Sequence, residues 1–216
     1  MNKKAYFLKI FRKAERKYGK YEKRLAGEGW KEDWQTLIVT IMSAQSRDET
    51  TISIAEELFN RYKTLDKLAH ARFGVVLKIF KSLNYNRTKA KNVIGAAKYL
   101  LQRYGGKMPS TIEALVEIPG VGRKTANLVL SEIHEKDTIT VDTHVHRISN
   151  VLGLVKTKMP EQTEMGLQKI APKKYWSRIN RIFVLWGKEV PGRDKKRLLR
   201  KLEEQDNIMP LLSSYK

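Results

Sequence analysis

Residues 118–127, "IPGVGRKTAN", set a proline, two glycines and two cations directly before an amphipathic run. Ile118 ends one helix, Pro119 cannot continue it, and Gly120 and Gly122 permit backbone angles closed to other residues. Val121 between them is apolar and is expected to plug the gap between two helices. The second helix starts near Arg123, so the loop offers backbone N–H groups at a helix N-terminus, where an anion is stabilised. Bare glycines let a nucleic-acid backbone come close. The pattern predicts a helix-hairpin-helix, a sequence-independent grip on phosphate. Lys124, in the first turn, is then either a further phosphate contact beside Arg123 or a nucleophile. Ten residues alone leave both open.

Composition narrows the partner. Lys and Arg number 43 against 23 Asp and Glu over 216 residues, a net charge of +20. Such an excess favours a polyanion, with nucleic acid ahead of an anionic membrane surface. The ends are the most basic: residues 1–24 carry ten Lys/Arg against two Glu, and residues 188–201 carry seven against Glu189 and Asp194. The chain has no cysteine, which excludes disulfides, thiol catalysis, iron–sulfur clusters and Cys-based zinc sites. His144 and His146 point to different sides of a helix, so no shared metal site is expected there. "AYFLKIF" near the N-terminus is short and interrupted by Lys9. No apolar run approaches the roughly 20 residues that span a bilayer. A soluble, intracellular protein is expected, with no membrane partner.

The periodicity is helical nearly throughout. "DWQTLIVTIMSAQ" places Trp34, Leu37, Ile38, Ile41 and Met42 on one face, with Asp33 as N-cap. Ala55, Leu58, Phe59 and Tyr62 share a face in the next segment, which Asp48 or Thr50 can cap. Val93, Ile94, Ala97 and Leu101 repeat the pattern, and Gly105–Gly106 supply a stop. "STIEALVEI" is a short helix capped by Ser110 or Thr111, and Asp142 is a natural N-cap for "THVHRISN". "TITV" (138–141) is the one plausible strand and too short to build a sheet. The chain reads as all-α with short loops.

"IPGVGRKTANLVL" followed by "ITVDTHVHRISNVLGL" resembles the endonuclease III family of DNA base-excision glycosylases, which carry a helix-hairpin-helix and the aspartate of V-D-T-H. "LIVTIMSAQSRDETTISIAEELF" is similar to that family's first core helix and S-A-Q-x-x-D turn, and "LNYNRTKAKNV" to the loop and helix preceding the hairpin. The resemblance covers residues 30–190. It implies two helical lobes with the DNA cleft between them. One is a six-helix barrel over 26–136, and the other a discontinuous domain of 1–25 and 137–216.

Carried over position by position, Lys124 matches the catalytic lysine and Asp142 the catalytic aspartate. Gln45 matches the residue that enters the void left by a flipped-out base. Where the family pattern is G-L-Y-N, this chain reads Asn84-Tyr85-Asn86-Arg87, so Tyr85 stands at the place of a leucine wedge, with Asn86 and Arg87 in the same loop. Gly120, Val121, Gly122, Arg123 and Thr125 match the DNA-binding hairpin, and His144 is expected to contact DNA beyond the aspartate. No certain metal ligand is implied, only a monovalent cation held through the backbone at Ile118 and Val121.

The implied partner is double-stranded DNA with damaged bases or abasic sites, and the implied enzyme a monomeric bifunctional glycosylase and abasic-site lyase. Oxidised pyrimidines are the expected substrates. A base inside a duplex must first be extruded. The Lys124 amine attacks the sugar C1′ and displaces the base, leaving a Schiff base. Loss of the acidified C2′ proton then cuts the strand 3′ to the abasic sugar. Attack needs the uncharged amine, which desolvation in a cleft and cations such as Arg123 favour. Asp142 stabilises positive charge on the sugar or shuttles a proton. The alternatives are a monofunctional uracil or thymine mismatch glycosylase, whose relatives usually lack this lysine, and a non-catalytic helix-hairpin-helix DNA-binding protein.

Most family members end in a four-cysteine loop holding a 4Fe–4S cluster that contacts DNA. Here the corresponding segment lacks cysteine, so no cofactor is expected. A basic helix over Asp194–Gln205 is expected in its place, with Lys195, Lys196, Arg197 and Arg200 supplying phosphate contacts. The expected location is the nucleoid-bearing cytoplasm of a prokaryote or the nucleus of a eukaryote.

Overall fold

The computed structural model describes residues 2–204, and among these every regular element is a helix. The order is α1 Lys3–Tyr18, α2 Asp33–Ser43, α3 Asp48–Arg61, α4 Leu65–Ala69, α5 Phe73–Ile79, α6 Asn86–Tyr104, α7 Ile112–Val116, α8 Arg123–Glu132, α9 Thr143–Val151, α10 Pro160–Ile170, α11 Trp176–Glu189 and α12 Lys195–Glu203. Single 3-10 turns precede α6 and α11. The expected all-α class holds. The 138–141 stretch with strand character forms no strand.

The chain gathers into two compact units. The second is continuous from Lys23 to Thr140 and also takes in Lys173–Ser177. Its axis is α2, buried from Thr36 through Met42 and packed against α3, α6 and α8. A helix apolar on every side belongs at the centre of a bundle. Trp30 and Trp34 each set an edge against Phe59 at 5.1 Å, closing one end of this core. α2 is capped by Glu32 through a capping box with Gln35, and the expected cap Asp33 is its first helical residue. Asp48 likewise starts α3, and its carboxylate accepts the Ala26 N–H instead.

The boundaries differ from the expected 25/26 and 136/137, for local reasons. Lys23 pairs with Glu49 at 2.7 Å, which draws residues 23–26 onto α3. Buried Asn127 of α8 donates to the Ile139 carbonyl at 3.2 Å, and the Thr138 hydroxyl donates to the Asn127 carbonyl at 2.7 Å. Residues 137–140 therefore stay with the hairpin helix, and the first unit resumes at Val141.

That first unit joins the chain up to Glu22 with Val141–Pro172 and the residues from Arg178 on. α1 buries Phe7, Ile10, Phe11, Ala14 and Tyr18, a helical stripe whose Phe11 meets Phe183 of α11. α12 lies on α1 through fully buried Leu198. The expected terminal helix thus runs Lys195–Glu203 with Asp194 as its cap. Gln205 and the remainder of the expected domain to 216 lie outside the described residues.

α9 and α11 approach at Gly187. A Cβ there would lie 2.5 Å from His144 Nδ1 and 2.9 Å from Arg147 Nη2, and Arg147 donates to the Gly187 carbonyl at 2.9 Å. Gly187→Ala should therefore destabilise the protein by about 1–3 kcal/mol, the usual cost of overpacking a well-filled site. Denaturant titration measures it.

Candidate active site and nucleic-acid interface

The hairpin is α7, the turn 117–122 and α8. Thr111 caps α7 by accepting the Ala114 N–H at 3.3 Å. Ile118 and Val121 are both buried, the second plugging the hairpin as expected. The two glycines serve different ends. Gly120 has φ +83°, and a Cβ on it would sit 2.8 Å from the Asn92 Cβ of α6, so the fold itself requires glycine there. Gly122 has an ordinary φ of −98°, and a Cβ on it would meet nothing within 4 Å. Nothing among the described residues calls for a missing side chain at 122. It is the N-cap of α8, and no side chain caps that turn. Arg123 and Lys124 are exposed beside it and Thr125 is half-buried. The Ile118 carbonyl accepts the Val121 N–H at 3.0 Å, so one of the two carbonyls expected to hold a monovalent cation already serves the turn.

A second cluster in the same unit surrounds Gln45 and Tyr85. Among the described residues only Gln45 (φ 54°), Tyr85 (φ 55°) and Glu135 (φ 50°) are non-glycine residues with positive φ. Gln45 is the third residue of a turn closed by Ser46 N–H to the Ser43 carbonyl at 3.0 Å, following Ala44 at φ −53°, ψ 118°. That is the type II turn position where glycine is favoured. Tyr85 is the N-cap of α6 and is 65% exposed, a large apolar side chain held in solvent on a strained backbone. Such strain persists where the surroundings over-determine it and is concentrated at functional sites. The two residues read from sequence as void filler and wedge are thus also two of the three strained ones.

The two loops are bonded together. The Asn84 amide donates to the Gln45 carbonyl at 2.7 Å, and Lys89 Nζ donates to Ser46 Oγ at 2.7 Å. Lys89 is only 4% exposed, and burial pulls its ammonium down to about 8. Sequence reading gave no role to Lys89, Ser46 or Asn84. A signal existed: Lys89 precedes Val93 by one turn and so falls on the apolar stripe of α6, where a lysine must have a partner. Asn86 and Arg87 flank a depression of about 500 Å³ lined also by Gly74, Leu77, Lys78 and Lys81.

Asp142 belongs to the other unit. It caps α9, its Oδ1 accepting the Val145 N–H at 2.8 Å. Its charge opposes the effect of burial on Arg147, whose guanidinium is nonetheless pulled below its ordinary value. His144 is half-buried with its ring against Gly187, so any DNA contact through it would come from a side chain already packed in its own unit.

α12 is fastened to α1 by polar contacts. Lys17 donates to the Lys201 and Glu204 carbonyls at 2.8 and 3.2 Å, closing the helix C-terminus. Burial alone would raise the Glu189 carboxyl, but the Tyr18 hydroxyl and Lys201 outweigh it and hold it below its ordinary value. Lys195, Lys196, Arg197 and Arg200 remain exposed. A 4Fe–4S cluster needs four thiolates. This chain has no cysteine, and no three of the described His, Asp and Glu residues come together as a metal site, so the residues do not fit that group.

The family model of the HhH-GPD superfamily of base excision DNA repair proteins matches residues 38–173. Over 157 residues the chain is 41% identical to endonuclease III of Thermotoga maritima, covering 73% of this chain and 74% of that one. It is 35% identical over 161 residues to endonuclease III of Rickettsia conorii, covering 74% and 77%. A trapped endonuclease III–DNA covalent intermediate with an estranged adenine matches at a TM-score of 0.81 over 88% of both chains, with 27% identity. A thermostable thymine-DNA glycosylase matches at a TM-score of 0.74 over 89% of both chains, with 17% identity, a likeness of fold alone.

The buried amine of Lys89 carries a pH signature. Its folded-state value lies below the ordinary one, so between about pH 8 and 10.5 the folded protein binds fewer protons there than the unfolded chain does. Stability from this group therefore rises with pH through that window. Urea denaturation should show wild type gaining on Lys89→Met between about pH 7 and about pH 10.

Proposed function

The chain belongs to the HhH-GPD superfamily of base excision DNA repair proteins, in its endonuclease III family, and from that membership we propose how its residues divide the work of a bifunctional DNA glycosylase and abasic-site lyase. The observation that carries the assignment is exposed Lys124 in the first turn of α8, a helix whose N-terminus has no side-chain cap and has open space at Gly122. Backbone N–H groups of that turn take a DNA phosphate, and Gly122 keeps the surface clear for it. Lys124 then lies one residue beyond the phosphate grip, where it attacks C1′ of the extruded nucleotide. Lys124 is exposed in the DNA-free protein, so bound DNA is what covers it.

Gln45 and Tyr85 fill the space vacated by the base, Tyr85 by stacking on an estranged neighbour. Asp142 stabilises positive charge on the sugar while one of its oxygens continues to cap α9. Oxidised pyrimidines are the substrates, and the enzyme acts as a monomer in the compartment that holds the genome. The exposed cations of α12 add phosphate contacts.

Borohydride reduction on abasic-site and oxidised-pyrimidine duplexes should trap a covalent adduct with wild type and none with Lys124→Ala. An adduct that persists would move the nucleophile elsewhere, and base release without any adduct would favour a monofunctional glycosylase. Asp142 separates into its two roles by substitution. Asparagine caps about as well as aspartate, so Asp142→Asn should stay within about 0.5 kcal/mol of wild type. Its base release should nevertheless fall by roughly a hundredfold for loss of the charge. Asp142→Ala should cost about 1 kcal/mol of stability in addition. Neutralising Lys195, Lys196, Arg197 and Arg200 together should lower the slope of log affinity against log salt by about 3–4. An unchanged slope would remove α12 from the DNA interface.

A further inference from the structure

Two of the three strained residues, Gln45 and Tyr85, sit 40 residues apart in sequence on separate loops, 43–47 and 83–87. Each loop has bonds of its own, Ser46 N–H to the Ser43 carbonyl at 3.0 Å and Asn86 to the Lys81 carbonyl at 3.5 Å, but they leave the positive φ at both tips in place. Gln45 occupies a turn position that glycine would relax, and Tyr85 begins α6 without a side-chain cap. Each is tied to the other loop as well. Asn84, directly before Tyr85, donates to the backbone carbonyl of Gln45 itself. Lys89, one turn after Tyr85, buries its amine to reach the hydroxyl of Ser46, directly after Gln45. The Lys89 backbone N–H also donates to the Tyr85 carbonyl at 3.0 Å, so the same residue closes the first turn of α6 and bridges to the loop after α2.

Each strained tip is thereby bracketed: Asn84 grips Gln45 from one side and the Lys89–Ser46 bond holds its neighbour from the other. Burying an amine is costly unless it is hydrogen-bonded, and a bond to a turn of the other loop is the use made of it here. We propose that Asn84, Lys89 and Ser46 are positioning residues that lock the two loops into a single rigid double wedge, so that Gln45 and Tyr85 enter the duplex together at a fixed spacing. This rests on the wedge roles given to Gln45 and Tyr85 above. A rigid pair loses little conformational freedom on insertion, which is the advantage of preorganisation. Two independently mobile loops would each lose theirs while unstacking the base.

Two readouts test this. Hydrogen exchange on the DNA-free protein should show faster exchange in both 43–47 and 83–87 for Lys89→Met, with the interior of α2 unchanged. Ser46→Ala should do the same, and Ser46→Thr, which keeps the hydroxyl, should restore protection. Exchange that changes in one loop only overturns the coupling, and this holds whether or not the protein proves to release bases. In single turnover, Asn84→Ala and Ser46→Ala should each slow base release about tenfold while slowing cleavage at a preformed abasic site much less, since that site has no base to extrude. The loss should vanish in a Tyr85→Ala background, where no wedge remains to be aimed. Losses that multiply in the double variants, or that fall equally on both reactions, would make these residues merely structural and overturn the proposal. A wild type that neither releases bases nor cleaves abasic sites would defeat the repair assignment instead, leaving exchange to decide the coupling.

Discussion

Helix α6 lies under everything the second unit presents to a partner. Near its start it carries Tyr85 and the buried Lys89, and further along it supports the hairpin through Asn92 beneath Gly120 and Gly95 against Pro119. From Tyr85 to Asn92 is seven residues, or about 10 Å along a helix axis at 1.5 Å per residue. A helix that buries Val93, Ala96, Ala97 and Leu100 cannot slide without opening the core. The proposed wedge residue Tyr85 and the hairpin turn are thus mounted on one rod at a set separation. Both belong to the same unit, so their relation does not depend on how the chain is divided elsewhere.

The apolar stripes made most of this fold readable. The α2 face, the hairpin with its plug at Val121, and the cap at Asp142 follow from residue type and spacing. What escaped depends on competing partners, some local and some distant in sequence. Glu32 displaces Asp33 as cap because Gln35 can answer it, and Asp48 is drawn away by the Ala26 N–H. The domain boundary moved because Asn127, an ordinary polar residue on paper, is buried and holds residues 138–139. No local pattern announces that bond.

The candidate site was legible in a similar measure. The motifs name exposed Gln45, Tyr85, the two glycines and Lys124, and half-buried Asp142 in the other unit. They do not name its supports. Lys89 and Ser46 look like one more cation and one more loop serine until the loops are brought side by side. Lys124 is exposed among the described residues. A hairpin shaped to meet a large polyanion can leave that part of its environment to the ligand.

The hairpin's glycines repeat one letter for two unrelated reasons. At 120 the requirement is internal, set by a left-handed backbone and the Asn92 side chain below. At 122 the protein asks for nothing, and the vacancy faces outward. Natural variation at these positions is therefore filtered by different things. A population screened only for folding would tolerate side chains at 122 while purging them at 120. Loss of variation at 122 would be the mark left by the partner, written into the chain at a place where the chain alone has no preference.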